Sequence, residues 1–258
     1  MSTYTIVDAT SSSRPEKARQ PIVSYTPSMW GDTFTSFSLD HQLQQKYAQE
    51  IETLKVEAKT MLVMSKEKTT SERLVLIDTL ERLGIANHFH HEIEEQIEHI
   101  FKSYSENNEE QHQNLFITSL QFRLLRQHRL CISCIEFIGE DDKFKEALSE
   151  DTKGLLSLYE AAHLRVHGEP ILDEALTFIK YHLKRRLVQQ LDSSPLQEQV
   201  KRALKLQLHR NNRRIDTRHY ISVYANDDSK NDLLLKLAKL HFNYLLNMYK
   251  NEICQVSR

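Results

Sequence analysis

Residues 43–62 have the sequence LQQKYAQEIETLKVEAKTML, in which apolar side chains recur at steps of three and four. The recurring residues are Leu43, Tyr47, Ile51, Leu54, Ala58, Met61 and Leu62. This spacing gives an α-helix one continuous apolar face. Asp40 lies just before the stretch, where its carboxylate can accept a hydrogen bond from the first backbone N–H groups of a helix. The sequence therefore predicts a long amphipathic helix that begins after Asp40.

Similar patterns predict helices along most of the chain. Leu74, Ile77, Leu80 and Leu83 repeat the spacing, and Gly84 follows where a helix end favours a residue with positive φ. Ser194 with Gln197 gives a Ser-x-x-Gln capping signal, and Pro170 and Pro195 suit first helical positions. Further helices are predicted over residues 87–104, 112–128, 151–165, 170–191, 195–209 and 214–224. The short connections between them predict antiparallel helical hairpins.

The composition also favours an almost wholly helical protein. Gly and Pro, which sheets and long loops use for turns, number only five each among 258 residues. With 34 Lys+Arg against 36 Asp+Glu, the net charge of −2 argues against a general attraction to nucleic acid or anionic membranes. No apolar run approaches the roughly 18 to 20 residues that a bilayer requires, so we expect no membrane span. Three cysteines and the absence of a secretory signal pattern predict a cytoplasmic protein.

The two ends of the chain differ from the middle. Residues 1–20 are polar and predict a flexible tail, whereas residues 21–32 (PIVSYTPSMWGD) predict an extended segment that lies across a surface. Residues 233–253 are apolar around almost the whole helical circumference, which is typical of a helix that is buried on every side.

Four clusters of chemically active side chains were weighed against simpler interpretations. His91, Glu95 and His99 share a helix face next to His88 and His90, which is a spacing that can hold zinc, but a solvated charged face is the favoured interpretation. The second cluster, residues 131–134 (CISC), has the Cys-x-x-Cys spacing of redox-active cysteines. Its apolar neighbours, however, favour two buried thiols. The third is a pair of acidic runs, residues 140–142 and 227–228, which we interpret as loops.

The fourth cluster is basic and has one acid, Asp216, within it. Its members are Lys201, Arg202, Lys205, Arg210, Arg213, Arg214 and Arg218. Since no aromatic residues interleave and the whole chain is faintly acidic, a partner or a diphosphate is favoured over nucleic acid. No phosphate-binding loop or nucleophile motif occurs, so the side-chain chemistry alone predicts no active site.

Several strings taken together resemble one family, the plant terpene synthases, and within it the cytosolic sesquiterpene branch. Pro21 and Trp30 are separated by eight residues, as in the family's N-terminal Arg-Pro…Trp motif, with Gln20 at the arginine position and Arg19 one step earlier. Residues 122–128 (FRLLRQH), 158–169 (LYEAAHLRVHGE) and 215–221 (IDTRHYI) are also similar to family segments. The resemblance extends from about residue 19 to the last residue and corresponds to the first half of a typical member.

This resemblance implies an all-α fold, an α/α helical barrel followed by the first helix of a class I terpenoid synthase domain. The implied divisions are a flexible tail at 1–20, the N-terminal barrel at 21–226 and the first helix of a truncated metal-binding domain at 227–258. Pro21 and Trp30 belong to a segment that caps the neighbouring domain's active site in the family.

The family's catalytic motifs are absent from this chain. Asp-Asp-x-x-Asp, Asn/Asp-x-x-Ser/Thr-x-x-x-Glu and Arg-x-Arg do not occur, so no catalytic residue, metal ligand or cofactor is expected here, and the diphosphate-side basic residues stay unassigned. In full-length members, Mg²⁺ or Mn²⁺ holds the diphosphate. Farnesyl diphosphate is therefore expected as a ligand only where a catalytic half is present.

Three hypotheses follow from the resemblance. The first is a truncated scaffold that is inactive alone, and the alternative is a fragment or short isoform of an active cyclase that converts farnesyl diphosphate to a cyclic sesquiterpene. The third is that the barrel binds a terpene synthase C-terminal domain or a full-length relative through Leu233, Leu237, Leu240 and Leu245. On that hypothesis these leucines are exposed and cause self-association, which a Leu237→Glu/Leu245→Glu variant would reduce.

Overall fold

The computed structural model describes residues 29–106, 114–133, 151–189, 194–208 and 211–257. Within these ranges the chain is helical and contains no strand. The α-helices are α1 His41–Met64, α2 Thr70–Arg82, α3 His90–Glu106, α4 Leu115–Gln127, α5 Thr152–Ala162, α6 Pro170–Gln189, α7 Pro195–Lys205, α8 Arg213–Tyr224 and α9 Asp232–Ser257. Two short 3₁₀ helices, Ser65–Glu67 and Ala86–Phe89, precede α2 and α3. The prediction of an all-α fold is confirmed.

Helix starts follow from local side-chain chemistry. Asp40 accepts a hydrogen bond from the Leu43 backbone N–H at 3.0 Å, as predicted. Ser194 caps α7 by accepting from the Gln197 N–H, and Pro195 is the first residue of that helix. A further capping box joins Thr69 and Glu72 at the start of α2, which the sequence analysis did not identify. Each such bond satisfies a backbone N–H that has no partner inside the helix.

The end of α2 requires a glycine for two reasons. Gly84 has φ +71°, a left-handed conformation that L side chains rarely adopt. A Cβ atom at Gly84 would also lie 2.9 Å from the Thr217 side chain of α8. Gly84 therefore ends α2 and allows α8 to pack closely against it.

Helices α4 and α5 are central to the fold. Leu120, Leu124, Leu125, Leu155 and Leu158 are fully buried between them and their neighbours. α4 packs on α2, α3 and α5, while α5 also contacts α6 and α7. This arrangement brings the polar side chains of α2, α4 and α5 together in the interior.

The last helix, α9, packs on α1 and α8, and this corrects the expectation of an exposed leucine surface. Leu237 is 0% exposed, so it belongs to the core formed by the described residues. Leu233, Leu240 and Leu245 are half-buried. The Gln44 side chain donates to the Tyr244 carbonyl at 3.0 Å, which ties α1 to α9. The sequence missed this packing because α1 lies almost two hundred residues before α9.

Beyond its buried residues, α9 has an exposed apolar side. Met248, Tyr249 and Ile253 are 38%, 39% and 42% exposed. The apolar pattern predicted a helix that is buried on every side. These exposed fractions show that the prediction was wrong. No helix in the described ranges has the length and apolar character needed to cross a bilayer.

Candidate functional site

Four charged side chains from three helices meet in the interior. Arg82 Nε of α2 donates to Asp78 Oδ1 at 2.9 Å, one turn earlier. Arg82 also forms two hydrogen bonds with Glu160 of α5, one of them 3.1 Å long. Arg123 of α4 donates to Asp78, and its Nε lies 3.8 Å from Glu160. These residues, Asp78, Arg82, Arg123 and Glu160, form a charge cluster in which two guanidinium groups neutralise two carboxylates.

The charge cluster fixes the protonation states of its members. Burial by itself would raise the pKa of Asp78, but Arg123 and Arg82 outweigh it and hold that pKa below its usual value. Burial raises the pKa of the neighbouring Tyr220, and the charge of Asp78 raises it further. Asp78 is therefore anionic and Tyr220 a neutral phenol near neutral pH.

A cavity of about 910 Å³ lies above the charge cluster. It is bounded by residues of α2, α3, α4, α5, α7 and α8. On one wall His128 bridges two carboxylates, with Nε2 2.9 Å from Glu81 and Nδ1 2.8 Å from Glu94. The bond with Glu81 raises the pKa of His128, burial opposes this, and the bond with Glu94 raises it further.

Another part of the cavity lining contains polar atoms that have no hydrogen-bond partner among the described residues. Arg202 and Asn211 both donate to Asp216 Oδ1 at 2.6 Å. Asp216 Oδ2 and His219 Nε2 have no hydrogen-bond partner among the described residues. Burial and Arg202 lower the pKa of His219, so its imidazole is neutral near neutral pH. Buried atoms of this kind are normally paired with water or another polar group.

The chemistry of this cavity does not suit a metal centre. Mg²⁺ requires several carboxylate oxygens that are free to coordinate. Asp78 and Glu160 instead face arginines, and Asp216 uses Oδ1 to accept from Arg202 and Asn211, which leaves only its own Oδ2 free. In the described part of the chain, no three His, Cys, Asp or Glu side chains form a group suited to a metal ion. The observed arrangement is a neutralised polar interior.

The segment before α1 lies against the end of α9. Trp30 is 58% exposed, with its ring centroid 5.8 Å from that of Phe34. Further along, Cys254 Sγ donates to the Phe37 carbonyl at 3.3 Å, and Lys250 lies over the Phe37 ring. These contacts place Trp30 on the surface near the C-terminal end of the fold, whereas Pro21 lies outside the described residues.

The structure keeps His91, Glu95 and His99 on the exposed side of α3, which confirms the favoured interpretation of a solvated face, and it separates His88 from them. His90, His91 and His99 are exposed on α3, while Glu95 accepts a hydrogen bond from Lys66 at 2.6 Å. His88 lies instead beside His241 of α9, with Nε2 3.1 Å from Nδ1. No local pattern indicates this pair, because 153 positions separate the two residues.

The other predicted clusters are corrected in part. Cys131 is exposed, so the expectation that this thiol is buried was wrong, and Cys134 lies outside the described residues. Within the basic cluster, Arg202 pairs with Asp216, and Arg214 donates to the Tyr249 hydroxyl at 3.1 Å. Two members of this cluster therefore take part in contacts within the protein.

Known sequences match this chain along its whole length. Residues 29–204 match the family model described as terpene synthase, N-terminal domain. The tau-cadinol synthase of Lavandula angustifolia is 45% identical over 266 residues, which is 100% of this chain and 46% of that protein. The gamma-curcumene synthase of Pogostemon cablin is 47% identical over 244 residues, 93% of this chain and 43% of its own length. The chain thus spans less than half the length of these curated relatives.

Solved structures share the fold. A limonene synthase with 2-fluorolinalyl diphosphate superimposes with a TM-score of 0.81 at 30% identity, covering 89% of this chain and 43% of that one. The isoprene synthase from grey poplar leaves, with three Mg²⁺ ions and dimethylallyl-S-thiolodiphosphate, gives a TM-score of 0.76 at 35% identity. That match covers 84% of this chain and 41% of the poplar chain.

Proposed function

This chain belongs to the terpene synthase family, and we propose that it is an independent N-terminal helical domain of the sesquiterpene synthase type, which acts as a scaffold and is inactive alone. The carrying observation is the interior charge cluster, whose carboxylates face arginines. An acid that two guanidinium groups hold as an anion is a poor proton donor, and it is not free to bind a metal ion. The cadinol and curcumene synthase names of two relatives support the sesquiterpene branch.

The scaffold would act through two connected elements. The segment from Trp30 to Phe37 contacts the end of α9, and α9 in turn packs on α1. We propose that α9, in the region 227–258, is the first helix of the catalytic domain that follows in the family. The exposed Trp30 would then lie ready to contact that domain, together with the half-buried Leu233, Leu240 and Leu245 and the exposed Met248.

In this proposal, the Mg²⁺-dependent reaction of the family takes place outside this chain. The poplar isoprene synthase structure contains three Mg²⁺ ions, but the described acids of this chain do not fit such a cluster. We therefore propose that this chain alone neither binds Mg²⁺ at a catalytic site nor ionises farnesyl diphosphate. A cytosolic location stays a prediction, which fractionation of source tissue tests.

The direct test is turnover by the purified 258-residue chain. With farnesyl diphosphate and Mg²⁺, we expect no sesquiterpene hydrocarbon or alcohol by gas chromatography with mass detection. A full-length tau-cadinol synthase from lavender, assayed in parallel, is the positive control. Sesquiterpene formed by the pure chain, and abolished by a chelator, would contradict the scaffold proposal.

A second candidate is that the same residues are part of an active sesquiterpene cyclase. The observation that favours it is the coverage of 46% and 43% of two relatives. Intact-protein mass spectrometry on source tissue, after enrichment with an antibody against residues 40–65, separates the two. A mass near 30.4 kDa supports the independent scaffold, and a mass about twice as large, close to that of the relatives, supports the cyclase.

A further inference from the structure

Two imidazoles face each other where α9 crosses the start of α3. His88 lies in the 3₁₀ helix Ala86–Phe89, and His241 lies in the middle of α9. Their nearest nitrogens are 3.1 Å apart, and their rings are nearly perpendicular at 78° with centroids 4.5 Å apart. Both side chains are half-buried.

The separation of the two nitrogens matches a chelating pair. Zinc–imidazole bonds are about 2.0 to 2.1 Å long, so two such ligands lie about 3.4 Å apart in a tetrahedral site and about 2.9 Å apart at a right angle. The observed 3.1 Å falls between these values. The two nitrogens are therefore close enough together to bond to one ion.

One facing nitrogen of the pair donates a hydrogen bond to the other. Moving that hydrogen to the far nitrogen of its own ring exposes two lone pairs without the loss of a proton.

The surrounding charges limit which ions can bind. Lys55 lies near both rings but is paired with Glu52 at 2.9 Å, and Arg214 near His241 donates to Tyr249. This setting disfavours weakly bound cations. Among divalent ions, the imidazole ligands themselves favour Cu²⁺, Ni²⁺ and Zn²⁺.

We propose that His88 and His241 chelate one divalent transition-metal ion of this imidazole-preferring class. No third His, Cys, Asp or Glu completes the site among the described residues, so water fills the remaining positions. The ion would join α9 directly to the start of α3. This site is separate from the scaffold proposal and does not depend on the family's Mg²⁺ chemistry.

The test uses one equivalent of Cu²⁺ added to the full chain at neutral pH, observed by electron paramagnetic resonance. We expect hyperfine coupling from two imidazole nitrogens in the wild type and its loss in His241→Gln. The chain contains 13 histidines, so the control is His91→Gln/His99→Gln, which removes the exposed pair on α3 and should keep the signal. Zn²⁺ should raise the thermal midpoint of the wild type and of the control only.

The outcomes are distinct. Loss of the two-nitrogen signal in a His241→Gln chain with unchanged far-ultraviolet circular dichroism supports the site. If His241→Gln does not fold, the same comparison is made with His88→Gln. A two-nitrogen signal that persists in either histidine variant, or that disappears in the control, overturns the proposal. Absence of stoichiometric Cu²⁺ binding to the wild type also overturns it.

Discussion

Arg123 lies between two carboxylates in the core, and its side chain is only 2% exposed. Replacing it with Met leaves Arg82 to neutralise both Asp78 and Glu160, so one buried negative charge loses its partner. We expect Arg123→Met to lower the free energy of unfolding by about 3 to 5 kcal/mol in urea titrations. Lys66→Met is the matched control, because the Lys66–Glu95 pair is exposed and its loss should change the free energy of unfolding far less. Equal losses in the two variants would contradict the structural role of the charge cluster.

His128 makes stability depend on pH. Its hydrogen bonds to Glu81 and Glu94 hold its pKa above the usual 6.5. Since the folded pKa is the higher one, the stabilisation is complete below about pH 6.5 and is lost as the pH rises through the folded value. We expect the wild type to exceed His128→Gln in free energy of unfolding at about pH 6, with a smaller difference at about pH 9. A difference that stays constant or grows over this range would show that the bridge is not charged.

Helix α9 depends on its contact with α1. Leu237 is fully buried and Met248 is 38% exposed on the same helix. We expect Leu237→Ala to lower the free energy of unfolding by about 2 to 5 kcal/mol, and Met248→Ala by less than about 1 kcal/mol. The Leu237→Glu/Leu245→Glu variant suggested by the sequence would consequently unfold α9 rather than reduce self-association. Similar small losses for both alanine variants, measured by urea unfolding, would mean that α9 does not pack as described.

The helices themselves were largely predictable, because their signals are local. Asp40, Pro170 and Pro195 start helices as expected, and Gly84 ends α2 with positive φ. The predicted helix boundaries were wrong where no local residue pattern marks the start or end of the helix. Residues 195–209 were predicted as one helix, yet α7 ends at Lys205, and α3 begins only after the 3₁₀ turn Ala86–Phe89.

The interior arrangement was not predictable from one sequence, because it depends on contacts between distant residues. Asp78 meets Arg123 across 45 positions, and His88 meets His241 across 153. The spacing of residues within a helix carries no information about such pairs. The same reason explains Leu237, whose apolar pattern indicated burial without showing that α1 provides it.

At the scale of the whole molecule, the described residues form one helical body. The buried charges of its interior are paired with opposite charges, and the segment before α1 contacts α9. The absence of the family's Asp-rich motifs was readable from the sequence, and the paired carboxylates give the physical reason why the interior does not replace them. The paired carboxylates are the observation on which the proposed scaffold role rests.

The most direct test of the scaffold role is a chimera in which this chain replaces the corresponding N-terminal residues of the lavender tau-cadinol synthase. The chimera should convert farnesyl diphosphate to the same product as the lavender enzyme, because a scaffold does not line the site of chemistry. Trp30→Ala in the chimera should lower kcat without changing the product. A folded chimera that makes a different sesquiterpene skeleton would contradict the scaffold role, since this domain would then determine the chemistry.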